Sequence, residues 1–220
     1  MLDISLRDFL KQRGFRGLSL IDSVIKSMSV TVLTFQLATA LAHLKSAGIT
    51  HSDLKPDNIM MVDHVWQPLK VKIIDFGSAF ETSGARSGSY IQTRWYRSPE
   101  VMLGLPYTEA IDVWSLGCVA AELFLGQPLY PGRNEYEMVS LQLNLFPSPS
   151  VLIGFLFHSL KYMKLYVLKY SKRKIHKGLI WAKLKLLQLD ANQRITPRQL
   201  LQHPFISMSH LQELIPHRPK

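Results

Sequence analysis

Three polar side chains within residues 51–58 have the chemistry that phosphoryl transfer requires. In the run HSDLKPDN, the carboxylate of Asp53 could accept the proton of an attacking hydroxyl, and the ammonium of Lys55 could offset the charge of a phosphate. The side-chain amide of Asn58 supplies an oxygen that could bind a metal ion. Taken alone, the run is equally compatible with a polar turn, because Asp, Pro and Asn are common turn residues.

Two further motifs favour the catalytic interpretation. The triplet Asp75-Phe76-Gly77 comes directly after a strand-like run, and its carboxylate would give Mg²⁺ a second oxygen ligand. The triplet Ser98-Pro99-Glu100 follows later in the chain. Three motifs in this order make a simple turn at residues 51–58 a poor explanation, because each motif supplies the context that the others require.

The motifs resemble the C-terminal lobe of a eukaryotic protein kinase over residues 32–144 and 179–209. A narrower resemblance, to the homeodomain-interacting protein kinases, rests on HSD at 51–53, DFGSA at 75–79, TRWYRSPE at 93–100, LGLPY at 103–107 and ELFLGQPLYPG at 122–132. It implies a mainly α-helical, protein-kinase-like fold, limited here to the C-terminal lobe, with short β-hairpins near the catalytic loop. It also implies phosphorylation of protein Ser and Thr with ATP and Mg²⁺.

The resemblance implies a role for each site residue. Asp53 would be the catalytic base, Lys55 would contact the transferred phosphate of ATP, and Thr93 would bridge these two side chains. Asn58 and Asp75 would bind Mg²⁺ and, through it, the nucleotide. A lysine at position 55 is similar to the pattern of Ser/Thr kinases rather than to that of tyrosine kinases.

A regulatory site is implied in the activation segment. Tyr90 matches the tyrosine that the family phosphorylates in its own activation segment, and Arg94 and Arg97 lie near enough in sequence to pair with that phosphate. Ser52 stands where most kinases have Arg, which removes one contact to a phosphorylated segment. The alternative for Tyr90 is a partly buried aromatic at the base of a loop.

Four further residues are implied to have structural roles. His51 belongs to the catalytic-loop motif, and Asp112 would hold the backbone of that loop. Glu100 and Arg194 would form an ion pair that ties the activation segment to the helical core. None of the four is expected to take part in chemistry.

Two helices are predicted to position these residues. Before the catalytic loop, leucines recur at helical spacing at positions 33, 37, 41 and 44. This spacing predicts a helix over residues 32–48, whereas residues 17–31 are expected to form a solvated loop. A second helix is predicted over residues 109–125 with Gly126 at its end. Because it is apolar on most faces, it should be buried.

Short strands are predicted on both sides of the metal-binding residues. Residues 59–62 and 71–74 should form a hairpin, with turn residues at 63–64 and 67–68. Residues 78–97 are rich in Ser, Thr and Gly. We therefore expect this stretch to be a mobile segment rather than a packed element.

The resemblance also predicts the domain organisation. Residues 1–209 should form a partial kinase domain that lacks the N-terminal lobe, and residues 210–220 a C-terminal tail. Near the end, helices are expected over 179–189 and after Thr196-Pro197. The sequence contains no G-x-G-x-x-G run to cover phosphates. We therefore expect this polypeptide to be inactive on its own; the alternative is a non-catalytic, kinase-derived binding or regulatory module.

Composition restricts the compartment. Of the 220 residues, 47% are hydrophobic and 19% are charged, which is ordinary for a soluble globular domain. The single cysteine, Cys118, can form no internal disulfide and should be a buried thiol in a reducing compartment. No secretory signal is evident, and the apolar stretch 151–168 is interrupted by charges, so no membrane span is expected. By resemblance, we expect a monomer in the nucleus, with the cytoplasm as a second location.

The net charge of +10 comes from one segment. Residues 140–188 contain Lys and Arg but no Asp or Glu, so direct nucleic-acid binding by a general basic face is not expected. The atypical part, residues 145–178, has two interpretations. It is either a basic insertion that binds acidic partners or a mis-spliced or mispredicted exon. The expected partners are protein substrates among nuclear transcription regulators.

Overall fold

A computed structural model describes residues 2–14, 23–82, 87–145, 185–204 and 206–207. Six helices are described with both ends: α1 (Leu6–Gln12), α2 (Ser23–Ser46), α3 (Pro99–Met102), α4 (Ala110–Leu125), α5 (Glu135–Leu145) and α6 (Pro197–Gln202). Residues 185–186 are also helical. They also contain four strands: β1 (Ile49–Thr50), β2 (Ile59–Asp63), β3 (Gln67–Ile73) and β4 (Phe80–Glu81). Short 3-10 turns lie at residues 56–58, 94–96 and 191–193. The mainly helical architecture predicted from the sequence is therefore confirmed for this part of the chain.

The helix before the catalytic loop is longer than predicted. Helix α2 begins at Ser23 rather than at residue 32, so the solvated loop expected over residues 17–31 is wrong for its second half. Val30 and Thr31 are buried in the core. The burial of Val30 and Thr31 favours the helix at these two positions despite the low helix propensity of β-branched residues. Residues 15–22 lie outside the described part.

Helix α4 is the buried centre of the fold, as predicted. Most of its residues are buried, including Trp114 and the thiol of Cys118. Burial raises the pKa of Cys118 well above its usual range, so the thiol stays protonated. The helix ends at Gly126, whose φ of 85° is left-handed and suits a residue without a side chain.

Strands β2 and β3 form the predicted antiparallel hairpin, with Ile59 opposite Ile73. The turn is shorter than expected, because Gln67 and Pro68 already belong to β3. Asp63 closes the turn by accepting hydrogen bonds from the backbone N–H groups of residues 65 and 66, at 2.9 and 2.8 Å. This hairpin carries Asn58 and residue 74 at adjacent ends, where the metal-binding residues were expected.

A second, two-residue ladder holds the catalytic loop at its start. In the antiparallel pair β1–β4, Thr50 lies opposite Phe80 and Ile49 lies opposite Glu81. The loop that begins at residue 51 therefore runs beside the residues that precede β4. The first and second motifs, which are separated in sequence, therefore lie close together in the fold.

The stretch 78–97 contains packed elements, which were not expected in a mobile segment. It contains β4 and the 3-10 turn at 94–96, and the side chains of Gln92 and Arg97 are buried. The expectation is therefore wrong for its C-terminal part, where side-chain hydrogen bonds to backbone groups replace regular structure. Residues 83–86 lie outside the described part.

The end of the domain packs directly on α4. A Cβ at Gly117 would lie 2.7 Å from a methyl carbon of Leu187, so only glycine allows this approach. Helix α6 starts with the predicted cap, in which Thr196 and Gln199 form a capping box. The predicted helix over 179–189 is described only from residue 185; residues 185–186 are helical, so the predicted end at residue 189 is wrong. The basic segment falls outside the described part from residue 146 onward. The tail 210–220 also lies outside it.

Within the described ranges, no helix is long and apolar enough to cross a membrane.

Candidate active site

A buried carboxylate on α4 fixes the backbone of the catalytic loop. The two oxygens of Asp112 accept hydrogen bonds from the N–H of His51 at 2.7 Å and from the N–H of Ser52 at 2.9 Å. Burial raises the pKa of the Asp112 carboxyl, whereas these two N–H donors act to lower it. Ser52 has a left-handed φ of 63°, and its hydroxyl donates to the carbonyl of Ser78 at 2.5 Å. The loop is thus held from both sides.

The His51 ring joins the first two motifs. Its Nδ1 accepts a hydrogen bond from the N–H of Asp53 at 3.2 Å, so Nε2 carries the proton that is donated to the carbonyl of Ile74 at 3.0 Å. The ring also contacts Phe76 edge-on, with 4.9 Å between the ring centres. His51 is fully buried, and both nitrogens are occupied by backbone groups. The geometry therefore fits a structural role.

Three residues predicted for catalysis converge in one hydrogen-bonded triangle. The Lys55 ammonium lies 2.7 Å from Oδ2 of Asp53 and 3.0 Å from Oγ1 of Thr93. The Thr93 hydroxyl donates to Oδ1 of Asp53 at 2.6 Å. Sequence analysis placed Thr93 here by family resemblance, across 40 residues of chain. The structure brings all three side chains together.

The triangle keeps the Asp53 carboxyl ionised. Partial burial alone would raise its pKa, but the Lys55 and Thr93 hydrogen bonds outweigh burial and hold the pKa below the ordinary value of 3.8. A carboxylate with both oxygens oriented by donors is pre-organised to accept a proton from a nearby hydroxyl. The residue at the predicted base position therefore has the required charge state near neutral pH.

Asn58 and Asp75 lie at the mouth of the hairpin. The amide nitrogen of Asn58 donates to the carbonyl and to Oδ2 of Asp53, at 3.0 and 3.1 Å. Within the described residues its amide oxygen accepts no hydrogen bond, which leaves that oxygen for a cation. The N–H of Ile74 donates to the carbonyl of Asn58 at 3.0 Å. This backbone contact places the next residue, Asp75, beside the loop.

The donor set suits Mg²⁺ rather than a transition metal. Asp75 has a left-handed φ of 62°, and its Oδ1 accepts a hydrogen bond from Gly77 at 3.2 Å. No group of three or more His, Cys, Asp or Glu that could hold a metal occurs in the described residues. One amide oxygen and one carboxylate match the way Mg²⁺ is held, since it takes its other ligands from water and phosphate.

The predicted regulatory tyrosine is exposed. Tyr90 is 72% accessible, so the alternative of a partly buried aromatic is wrong. The Arg97 guanidinium carbon lies 3.9 Å from the centre of its ring, and Nη2 of Arg94 lies 3.4 Å from its hydroxyl. Arg97, and to a lesser extent Arg94, lower the pKa of the Tyr90 hydroxyl. Both arginines predicted to pair with a phosphate therefore already contact this side chain.

Arg97 is also anchored in the fold, which the sequence did not indicate. It donates to the carbonyls of Ile91 and Gln92, both at 2.8 Å, and to Glu135 at 3.1 Å. Gln92, which sequence reasoning missed, has a left-handed φ of 63°. Its side chain donates to Ser115 Oγ at 2.9 Å and to a backbone carbonyl of α4. Its unusual backbone gives no signal in the sequence.

The predicted ion pair between Glu100 and Arg194 is present and buried. Two parallel contacts join the guanidinium to the carboxylate, from Nη1 to Oε1 at 2.7 Å and from Nη2 to Oε2 at 3.0 Å. Arg194 also donates to the carbonyl of Ala110 at 2.7 Å. The third motif is thereby tied to both α4 and the end of the domain.

A second charge network, centred on Arg7, was not predicted. Arg7 of α1 contacts Glu122 of α4 and the hydroxyl of Tyr96, and its Nε lies 3.3 Å from Asp57. Arg7 belongs to no motif and Glu122 belongs only to the run at 122–132, and their separation of 115 residues gives no local signal of a contact. Only the fold reveals that they meet.

Comparison with known proteins gives a consistent result. Residues 6–206 match the family model described as a protein kinase domain. The chain is 40% identical to mouse homeodomain-interacting protein kinase 1, over 96% of this chain and 21% of that protein. It is 54% identical to homeodomain-interacting protein kinase 1 of Caenorhabditis elegans over 63% of this chain and 16% of that protein. With human homeodomain-interacting protein kinase 4 it shares 50% identity over 63% of this chain and 22% of that protein. The chain thus spans about a fifth of the length of these curated relatives.

Proposed function

Because this chain belongs to the protein kinase family, we propose that it carries the transfer site of a serine/threonine kinase that uses ATP and Mg²⁺. The observation that carries the proposal is the triangle formed by Asp53, Lys55 and Thr93. Thr93 lies 38 residues after Lys55 and 40 residues after Asp53 in the chain. The convergence of the three side chains supports a common task. The motifs alone could not supply that support.

The triangle suggests how this chain would act on a hydroxyl substrate. Asp53, ionised and oriented by Thr93, would accept the proton of the attacking Ser or Thr hydroxyl. Lys55 lies on the other carboxylate oxygen, and its ammonium would offset negative charge on the transferred phosphoryl group. A phosphoryl-transfer site needs mainly positioning and charge stabilisation. This arrangement provides both.

Asn58 and Asp75 would hold the cation that ATP requires. The free amide oxygen of Asn58 and the carboxylate of Asp75 are hard oxygen ligands, which Mg²⁺ prefers. When bound, the cation would neutralise the phosphates and orient them towards Asp53. The contact of Asn58 with Asp53 links the metal-binding residue directly to the base.

We further propose that Tyr90 is a regulatory phosphorylation site. The hydroxyl is exposed, and the guanidinium groups of Arg94 and Arg97 already contact the side chain. A phosphate there would gain charge-assisted hydrogen bonds from arginines that are partly fixed in place. Phosphorylation would thereby order the segment that carries Thr93.

The partner and location proposals rest on the relatives. The names of the matched relatives describe kinases that interact with homeodomain proteins. For this chain we propose protein substrates among nuclear transcription regulators, a monomeric state and a nuclear location, with the cytoplasm as a second location. The expectation that nucleic acid and membranes are not direct partners remains a prediction.

A second candidate function is a kinase-derived binding or regulatory module without turnover. The observation that favours it is the lack of any G-x-G-x-x-G run in the 220 residues, since nothing among them matches the loop that covers ATP phosphates. The polypeptide 1–220 by itself would then dock protein partners through the same lobe. Whether it transfers phosphate separates the two functions.

The test is a fusion of residues 1–220 to the N-terminal lobe of mouse homeodomain-interacting protein kinase 1. Transfer of labelled phosphate from ATP is measured with matched peptides that carry Ser, Thr or Tyr. We expect transfer to Ser and Thr peptides that is lost in Asp53→Asn and kept in Asp8→Asn, which changes an exposed carboxylate outside the site. A folded fusion that binds ATP with Mg²⁺ but transfers nothing, or that modifies only Tyr, would contradict the proposal.

A further inference from the structure

The guanidinium of Arg7 lies among groups from three other parts of the chain. Its Nε lies 3.3 Å from Oδ2 of Asp57, Nη1 donates to Oε1 of Glu122, and Nη2 donates to the hydroxyl of Tyr96. The Tyr96 hydroxyl in turn donates to Oε2 of Glu122 at 2.6 Å. One guanidinium is therefore shared by two carboxylates and also donates to one phenol.

This network lies next to the transfer site without containing any proposed catalytic residue. Asp57 stands between Lys55 and Asn58 in the catalytic loop. Tyr96 ends the 3-10 turn that starts directly after Thr93. A peptide whose hydroxyl reached Asp53 would therefore approach both segments. The network consequently borders the surface that such a peptide would contact.

The exposure of the three charged side chains decreases in order from the surface inward. The Asp57 side chain is 49% exposed, that of Arg7 is 11% exposed, and that of Glu122 is fully buried. The Arg7 side chain therefore fills the space between an exposed carboxylate and a buried one. Removing it would leave a negatively charged recess that opens to solvent at Asp57. A buried carboxylate without a cation is strongly unfavourable, so such a recess would attract a replacement.

Arg7 is well suited to its position electrostatically. Burial alone would lower the pKa of its guanidinium, but Tyr96, Glu122 and Asp57 raise it above its ordinary value. A purely structural tie between α1 and α4 would need only Glu122 and Tyr96. The additional contact with half-exposed Asp57 extends the negative site to the surface, where a ligand could reach it.

We propose that Arg7 occupies, from within the chain, a binding site for a guanidinium group formed by Asp57, Tyr96 and Glu122, and so excludes a basic substrate residue from it. The exclusion of a substrate residue rests on the proposed kinase function. Guanidinium binding by the emptied site does not, because it depends only on the network. Arg7 is therefore a specificity-determining residue rather than a catalytic one.

The first experiment uses the full 1–220 chain with Arg7→Ala and ethylguanidinium as the probe, because this ion carries the head group of arginine. Binding is measured by NMR titration and by the shift of the thermal midpoint. We expect saturable binding about tenfold tighter than in the unmodified chain, with a thermal shift only in the variant. Adding Glu122→Gln should abolish the gain, and Lys11→Ala, on the same helix, should produce none. Equal binding to the unmodified chain, or a gain that survives Glu122→Gln, overturns the proposal.

If Arg7→Ala does not fold in buffer alone, refolding is followed by circular dichroism in ethylguanidinium and, separately, in ethylammonium. Both ions carry one positive charge, but only ethylguanidinium can form the forked contact with Glu122 and Tyr96. Recovery with ethylguanidinium alone supports the site. Recovery with both ions, or with neither, overturns it.

The second experiment tests the exclusion of a substrate residue. Labelled Ser peptides with Arg or Ala beside the Ser are compared for binding to the two chains. We expect Arg7→Ala to bind the Arg peptide about tenfold more tightly than the Ala peptide, and the unmodified chain to make no distinction. Ethylguanidinium binding without a peptide preference overturns the exclusion. Neither experiment needs phosphate transfer, so failure here is distinguishable from failure of the proposed kinase activity.

Discussion

Thr93 donates two hydrogen bonds to the same carboxylate oxygen of Asp53. Its hydroxyl donates to Oδ1 at 2.6 Å, and its backbone N–H donates to the same oxygen at 3.1 Å. The other oxygen, Oδ2, accepts from Lys55 and Asn58. The two oxygens therefore have different environments. The hydrogen bonds to Oδ1 come from the activation segment, whereas those to Oδ2 come from the catalytic loop itself.

We expect this division to be measurable with Thr93→Val, which removes the hydroxyl but keeps the backbone donor. In the fusion with an N-terminal lobe, transfer to a Ser peptide should fall about tenfold, because one charge-assisted hydrogen bond orienting the base is lost. Thr93→Ser keeps the hydroxyl and should retain most of the rate. Equal rates for Thr93→Val and the unmodified fusion would show that the hydroxyl does not orient Asp53.

The titration of Asp53 should depend on Lys55. Because the hydrogen bonds from Lys55 and Thr93 lower the Asp53 pKa below 3.8, Lys55→Met should raise that pKa. The sign follows from the depressed pKa of the folded state. The stabilising effect of the ionised carboxylate is present above pH 3.8 and is lost as the pH falls through the folded-state pKa. Carboxyl ¹³C NMR checks this, and Lys11→Met should leave the Asp53 titration unchanged.

Removal of one partner from the buried Glu100–Arg194 pair should be costly. Arg194→Met leaves a buried carboxylate without its cation, and we expect a loss of about 3–5 kcal/mol in the free energy of unfolding. Urea denaturation measures this loss. The double variant Glu100→Gln, Arg194→Met should be more stable than Arg194→Met alone. Lys11→Met, which breaks an exposed pair with Asp8, should change stability by less than about 1 kcal/mol.

The polypeptide 1–220 should not transfer phosphate by itself. Asp75 and Asn58 would hold a metal ion on one side of the nucleotide, but positioning from one side is insufficient for transfer. We expect a dissociation constant for ATP with Mg²⁺ in the millimolar range or weaker, or about 4 kcal/mol of binding free energy at most. Calorimetry and a radiolabel assay against Asp53→Asn check this. Micromolar binding with Asp53-dependent turnover would contradict it.

Phosphorylation of Tyr90 should raise activity in the fusion. A phosphate at this exposed position would gain up to about three charge-assisted hydrogen bonds from nearby arginines, so Tyr90→Phe should lower transfer about tenfold. Tyr136→Phe is the matched control, because Tyr136 is also exposed and lies outside the site. Mass spectrometry must first show phosphate on Tyr90. An unchanged rate in Tyr90→Phe would then remove its regulatory role.

The sequence predicted best those features that depend on residues close together in the chain. The hairpin β2–β3, the end of α4 at Gly126 and the cap at Thr196 all follow from local rules about strands and helix termini. The start of α2 did not, because Ser23 and the β-branched residues after it have weak helix propensity. Local propensity therefore does not predict this start, although farther along the helix Val30 is a core residue.

Contacts between distant residues escaped prediction unless a family motif marked both ends. Glu100 and Arg194 were paired in advance because each belongs to a recognised motif. Arg7 and Glu122 also form an ion pair, with side chains that are 11% exposed and fully buried, but Arg7 lies in no motif. Gln92 likewise has a left-handed backbone that an L-residue rarely adopts. Its compensating hydrogen bonds to α4 become visible only in three dimensions.

The Glu100–Arg194 pair also has a consequence for synthesis on the ribosome. Its members are 94 residues apart, so at about 5–20 residues per second the carboxylate emerges about 5–19 s before its partner exists. During that interval the third motif cannot reach its native, neutral environment. The activation segment should therefore become native late in synthesis, and it remains accessible to chaperones until residue 194 has left the exit tunnel.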